Sequence, residues 1–346
     1  MAANPIPSNG NRTTLADSVK HLLLSGPTAS LHLGGVEAYS EERRHHTETL
    51  GWHNLSEEAK AQVSISEVEF TALRTEHGTI SVRVFYPKSG EQYRKSGDAG
   101  ALVYMYYAWR SAYHPCGYTV RCVDDFEHGL RTLAEASACQ VYAVEYHLAP
   151  EYRYPTQLDE FSAVINWLQG PEGKKRGIHP DRLAGGGDSA GGNMTAALAL
   201  RRRDEGLKNM CNPSAQLLVY PEARLPFNTK ACQENNLGLY LEANGVFSFA
   251  DHYLPRGVPP ATPYVSPGMQ DVSALERLPP ALVFTDGFGP LRDVGVEYAS
   301  KLQKAGNWTH HADLTHGFLQ FGPWSEDCLD ATKNIGKTLG RLVYSD

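Results

Sequence analysis

The sequence predicts an α/β domain, a mostly parallel sheet covered on both faces by helices and topped by a helical cap. Three observations lead there. Continuous apolar runs (Leu102–Tyr107, Val141–Tyr146, Leu217–Tyr220, Ala281–Phe284) read as strands buried on both faces. Segments of helical spacing lie between them, which is the pattern of βαβ units. Two stretches break the rhythm: the N-terminal region, and a Pro-, Asn- and Gly-rich stretch at about 221–268. At 346 residues the chain is long enough for one large core, since a chain of roughly 300 residues buries about three-quarters of its unfolded surface.

Residues 1–13 are polar and rich in Pro and Gly, and predict a disordered tail. Leu15–Leu24 and Val36–Leu50 have helical spacing. Val63–Phe70 and Ile80–Phe85 alternate apolar with polar residues and predict two half-buried antiparallel strands. Ser89–Gly100 is charged and reads as a loop. Thereafter strand Leu102–Tyr107 is followed by helix Asp124–Ala138, and strand Val141–Tyr146 by helix Leu158–Leu168. A short strand leads into helix Ser189–Arg203, and Leu217–Tyr220 precedes the irregular stretch, which holds a helical piece at Leu241–Tyr253. Strand Ala281–Phe284, helix Leu291–Ala305 and a last helix, Cys328–Leu342, complete the chain.

Composition excludes several classes. The longest apolar run, Ala101–Trp109, is far short of the ~20 residues that span a bilayer. Thirty-two basic against 39 acidic residues give a net charge of −7, and a nucleic-acid partner calls for a basic surface instead. The first residues contain no apolar core of a secretory signal, and the 6 cysteines form no C-x-x-C pair. The expectation is a protein of the reduced cytoplasm, with no membrane or nucleic-acid partner, no metal and no cofactor.

Chemistry concentrates in Gly187-Asp188-Ser189-Ala190-Gly191, a G-x-S-x-G that ends a strand and opens a helix. A serine on so sharp a turn needs neighbours without side chains, because the flanking backbones pass close together. Its hydroxyl then stands above a helix N-terminus, where the dipole and free N–H groups favour negative charge. A serine nucleophile needs a base. His316, in Leu314-Thr-His-Gly-Phe318, lies C-terminal to the elbow, in the order such a triad requires.

Together Gly187–Asn193, Tyr146-His-Leu-Ala-Pro-Glu151, Pro290-Leu-Arg-Asp293 and His316-Gly-Phe318 resemble the hormone-sensitive-lipase-like (family IV) branch of the α/β-hydrolases. The resemblance covers about residues 60–345. It implies an eight-stranded, mostly parallel sheet, a helical cap, and cofactor-free hydrolysis of short-to-medium acyl esters, with Ser189 as nucleophile and His316 as general base. The chain then divides into a tail with cap helices (1–60) and a catalytic domain (61–346) with a cap insertion at about 221–268. A homodimer is compatible with that fold.

Two departures from the family pattern stand out. The oxyanion motif H-G-G-G is replaced, at its best match, by His114-Pro-Cys-Gly117, which makes residues 106–113 an insertion. Pro115 has no N–H, but Cys116 and Gly117 do, and with Ala190 they are the expected oxyanion donors. The competing match is Tyr106-Tyr-Ala-Trp109. The second departure is the triad acid: where the family has the first Asp of D-P-L-R-D, this chain has Gly289. Asp286 and Asp293 are the nearby carboxylates. Asp286 is the candidate for a relocated acid, while Asp293 belongs to the family pattern already and has a structural task.

Three functions are consistent with these residues: a serine carboxylesterase acting on a small ester or lactone, a lyase, cyclase or transferase on the same fold, and a non-catalytic small-molecule binder. For an impaired esterase, Gly289→Asp is expected to raise activity. Asp188 is expected to anchor the elbow; Tyr240, Phe247, Phe249 and Tyr253 are candidates for an acyl pocket or for cap packing.

Overall fold

The computed structural model describes residues 6–34, 39–106, 122–207, 215–302 and 306–345. Eight strands form one sheet: β1 (Glu67–Thr75), β2 (Gly78–Tyr86), β3 (Ala99–Met105), β4 (Gln140–Glu145), β5 (Ile178–Asp188), β6 (Gln216–Val219), β7 (Ala281–Asp286) and β8 (Gly306–His311). Their spatial order is β1-β2-β4-β3-β5-β6-β7-β8. β2 runs antiparallel to β1 and β4, and every other pairing is parallel. The mostly parallel sheet is what the sequence pattern implied, and its eight strands are what the family resemblance implied.

The reason lies in the side chains. β3 and β7 are buried along their whole length, whereas β1, at the sheet edge, alternates between exposed and half-buried residues. β2 is intermediate, alternating at its start and buried at its end, where it approaches the middle of the sheet.

Twelve α-helices are described. They are α1 (Asp17–Leu24), α2 (Tyr39–Leu50), α3 (Glu57–Ala61), α4 (Glu91–Ser96), α5 (Val123–Ser137), α6 (Thr156–Gln169), α7 (Pro171–Lys175), α8 (Ala190–Asp204), α9 (Lys230–Glu234), α10 (Ala243–Tyr253), α11 (Arg292–Lys301) and α12 (Glu326–Val343). α8 is buried on all sides from Ala190 to Leu200. Its Gly- and Ala-rich sequence suits that place, since bulkier residues would hold it off β5 and β6.

Two expectations need correction. Ser89–Gly100 is not wholly loop: α4 forms between Gly90 and a left-handed Gly97, and Tyr93 stacks on Tyr344 at 4.3 Å. Docking on the body stabilises a helix too short to hold itself. Nor do residues 6–13 read as a free tail. Gly10 N–H donates to Asp293 Oδ1 (3.1 Å), Arg12 donates to Glu234 O (3.0 Å) and Asn235 Oδ1 (2.8 Å), and Thr13 N–H donates to Ala312 O (2.9 Å). This strap crosses the turn after β7.

The N-terminal region and the irregular stretch meet above the end of β5. Leu33 forms a parallel bridge with Leu241, with Leu33 N–H on Tyr240 O (2.7 Å) and Glu242 N–H on Leu33 O (2.8 Å). α1 instead packs against α12, where Ser18 Oγ lies 2.6 Å from Ser325 Oγ. Among the described residues no helix is long and apolar enough to cross a membrane.

Candidate active site

Ser189 sits between the last residue of β5 and the first of α8, with φ 53° and ψ −118°. Only a well-tethered turn holds a non-glycine residue there. The tethers are Ser189 N–H on Val219 O (2.9 Å), and Ser189 O accepting from Asn193 N–H and Glu222 N–H (both 3.1 Å). The glycines are a matter of space. A Cβ on Gly191 would lie 1.8 Å from Met105 O, and one on Gly187 would lie 2.3 Å from the same atom. Asp188 is buried below the elbow, with the Tyr220 hydroxyl 3.5 Å from its Oδ2.

His316 is carried by the loop after β8. Thr315 Oγ1 donates to Leu239 O (2.6 Å), which ties that loop to the irregular stretch. The imidazole is buried, its ring 4.5 Å from the Tyr220 ring, and its Nε2 lies 3.0 Å from Ser189 Oγ. The two residues are 127 positions apart in sequence and are brought together by β5 and β8.

Asp286 is the last residue of β7 and is fully buried. Its Oδ2 lies 4.0 Å from His316 Nδ1, and neither carboxyl oxygen has a hydrogen bond from a described residue. Burial pushes its pKa up to about 7, against the weaker opposing pull of its own backbone N–H and of Arg292.

Gly289 explains how this carboxyl fits. A Cβ at 289 would lie 2.5 Å and 2.6 Å from the two Asp286 oxygens. Asp286 therefore occupies the space a side chain at 289 would need. Gly289→Asp alone, expected from sequence to help, would drive two carboxyls into one place.

Asp293 is used elsewhere. It accepts from Gly10 N–H (3.1 Å), Ala231 N–H (2.8 Å) and Arg292 Nε (2.9 Å). Asn235, which sequence reasoning missed, pins the turn after β7. Its Nδ2 donates to Gly287 O (3.1 Å) and Gly289 O (2.9 Å). Only its place in a Pro/Asn/Gly-rich stretch hinted at a turn-holding role.

A small cleft at the serine is lined by Leu33, Phe126, Asp188, Ser189, Tyr240, His316, Gly317 and Gln320. Tyr240 thus lines the site, while Tyr253 is buried against Tyr154, with ring centroids 5.9 Å apart. Leu33, Phe126 and Gln320 carried no signal in sequence, because nothing local brings them together. A larger hollow of about 870 Å³, lined by Phe70, Arg83, Tyr106, Glu145 and Glu151 among others, includes none of Ser189, His316 and Asp286. Ser189 and His316 open on the smaller cleft.

Ala190 opens α8, where the first N–H groups have no partner within the helix. Cys116 and Gly117 lie outside the described residues, as do the side chains of Phe247 and Phe249. Among the described residues, one group with metal-ligand geometry, Glu76, His77 and Asp159, includes none of Ser189, His316 and Asp286, and Asp159 there is paired with Arg201 at 2.6 Å.

A sheet of this order with a strained serine–histidine elbow defines an α/β-hydrolase. The family profile of the alpha/beta hydrolase fold matches residues 111–320, and the chain belongs to that family. It is 32% identical over 242 residues to the carboxylesterase NlhH of Mycobacterium tuberculosis, covering 67% of this chain and 73% of that one. It is also 32% identical over 232 residues to the carboxylic ester hydrolase LipN of the same organism, covering 66% of this chain and 60% of that one. Among solved structures it superposes on the hyperthermophilic esterase of the archaeon Pyrobaculum calidifontis with a TM-score of 0.79, 26% identity, and coverage of 96% and 100%.

Proposed function

We propose that this chain is a serine carboxylesterase of the hormone-sensitive-lipase-like branch, hydrolysing a small ester or lactone through an acyl-enzyme. Its class is that of its relatives, a carboxylic ester hydrolase. The observation that carries the mechanism is the 3.0 Å contact between Ser189 Oγ and His316 Nε2 on a strained elbow.

In this reading Ser189 Oγ attacks the ester carbonyl while His316 Nε2 takes the hydroxyl proton. The oxyanion forms beside the N–H of Ala190, with Cys116 and Gly117 as the other proposed donors. Collapse breaks the bond to the alcohol, which leaves with the proton from His316. Water then attacks the acyl-enzyme, His316 takes its proton and returns it to Ser189, and the acid departs. Asp286 is the proposed acid, stabilising the imidazolium across 4.0 Å. Attraction at that distance is electrostatic rather than a hydrogen bond.

The reading needs no cofactor or metal. It takes the enzyme to be cytoplasmic. It expects a small ester, and neither nucleic acid nor membrane, as partner. A homodimer is compatible with it and is read by sedimentation.

The test is turnover of p-nitrophenyl acetate and butyrate beside a Ser189→Ala control, with a serine-directed phosphonate as label. Turnover and labelling that vanish in the control are expected. Turnover equal to the control overturns the proposal and turns attention to ligand binding or a non-hydrolytic reaction.

A further inference from the structure

Gln320 is a polar side chain in the cleft at Ser189 that the hydrolytic steps above leave unused. It stands four residues after His316, at the end of a 3-10 turn (Phe318–Gln320), with its backbone N–H on Gly317 O (2.9 Å). Rings clamp that turn from both sides. Phe318 meets Tyr220 edge-on with centroids 5.0 Å apart, and Phe321 meets Tyr240 in the same way at 4.9 Å. One short, well-packed segment therefore carries both His316 and Gln320 to the cleft.

The two ends of its amide are provided for unequally. Oε1 accepts from the Tyr240 hydroxyl (3.4 Å). Nε2 has two N–H groups to give, yet it donates to none of the described residues, and it is not one of the unpartnered atoms sealed from solvent. In a residue only 3% exposed, the opening that reaches Nε2 is the cleft the side chain lines. The neighbours there are mostly apolar: Leu33, Phe126 and the Tyr240 ring line the same cleft. A substrate that displaces water from it leaves this donor unsatisfied unless the substrate itself brings an acceptor, and an unsatisfied donor is costly.

We infer that Gln320 is a specificity residue: its Nε2 donates to an acceptor oxygen, an ether or a ketone, on the acyl or alkoxy part of the ester bound at Ser189. The inference rests on the esterase reading and deepens it by naming a substrate class. The Tyr240 hydroxyl holds the amide by its oxygen and the turn holds its backbone, so little ordering is needed when the acceptor arrives. An ester with a methylene or methyl group in that place leaves Nε2 unpaired and is disfavoured. Sites built to bond a polar group discriminate strongly against analogues that lack it.

The experiment compares near-isosteric substrates that exchange an acceptor oxygen for carbon. The acyl pair is p-nitrophenyl 3-methoxypropanoate against p-nitrophenyl pentanoate. The alcohol pairs are 2-methoxyethyl against butyl butyrate, and acetonyl against isobutyl butyrate. Each preference is a ratio of kcat/KM values, and dividing the wild-type ratio by that of Gln320→Met cancels the intrinsic reactivity of the esters. In at least one pair the quotient should favour the oxygen-bearing ester by about tenfold, the loss that follows when one buried donor is left unsatisfied. The pair that shows it tells whether the acceptor belongs to the acyl or the alcohol side. Gln320→Leu, which also lacks the amide, should give the same quotient and serves if the methionine variant fails to fold. A quotient below about threefold in every pair overturns the inference. Absence of Ser189-dependent turnover on every one of these substrates would instead sink the esterase reading beneath it.

Discussion

Replacing Asp286 by Asn should slow the enzyme and, at alkaline pH, stabilise it. For the rate, the carboxylate lies 4.0 Å from His316 Nδ1. Opposite charges at that distance attract by about 4 kcal/mol at an effective dielectric of about 20. An amide forfeits this when the imidazolium forms, and at 1.36 kcal/mol per decade the loss is about 10³-fold in kcat. That is below the roughly 10⁴ lost when a directly hydrogen-bonded triad acid is made an amide, as the wider gap requires.

For stability the sign runs the other way. Burial raises Asp286 from 3.8 to about 7. The folded state thus holds a proton that the unfolded state releases, and the charge penalty accumulates between those two values. Above about pH 7 it reaches about 4 kcal/mol, while a buried, unpaired amide costs about 1–3 kcal/mol at any pH. Asp286→Asn should therefore melt higher than wild type at about pH 8, and no higher, or lower, at about pH 4. The assay is p-nitrophenyl butyrate turnover at about pH 8 together with thermal melts across the range. A kcat within threefold of wild type would refute Asp286 as the acid, and a stability difference independent of pH would refute its raised pKa.

Other expectations follow from the same geometry. Gly289→Asp alone should lower both kcat and melting temperature, because its Cβ falls 2.5 Å from an Asp286 oxygen. The swap Asp286→Gly with Gly289→Asp should recover activity relative to Asp286→Gly, as paired kcat measurements would show. Gly191→Ala should cost more than about 4 kcal/mol, since its Cβ would lie 1.8 Å from Met105 O. Soluble yield and a circular-dichroism melt would register that loss. Asn235→Ala removes one donor from each of the Gly287 and Gly289 carbonyls, which keep Arg292 Nη1 and Arg292 N–H respectively. It should cost about 1–3 kcal/mol in a thermal melt and lower kcat more than it raises KM.

The sheet was legible because a strand buried on both faces must be apolar throughout, as β3 and β7 are. Ser189 was legible because a strained turn forces glycines into the sequence around it. His316 was legible from its order along the chain and its short motif. Asp286 could be named as the nearest carboxylate to a missing acid, but its reason could not. That the glycine at 289 is the room Asp286 occupies is a fact of three dimensions. The strap at residues 6–13 was misread for a related cause: its partners lie far along the chain, so its sequence has no period and looks like a free tail.

The strap also bears on how the protein is made. Residues 6–16 leave the ribosome before their anchors at Glu234, Asn235, Asp293, Ala312 and Asp313, which are translated more than two hundred positions later. At about 5–20 residues per second that interval is on the order of ten seconds to a minute. Throughout it the segment has nowhere to dock, and the turn bearing Asp286 has no clasp. Completion of the proposed catalytic centre is thus tied to late synthesis: a nascent chain halted before residue 312 carries Ser189 and Asp286 but neither His316 nor the strap's last anchors, Ala312 and Asp313.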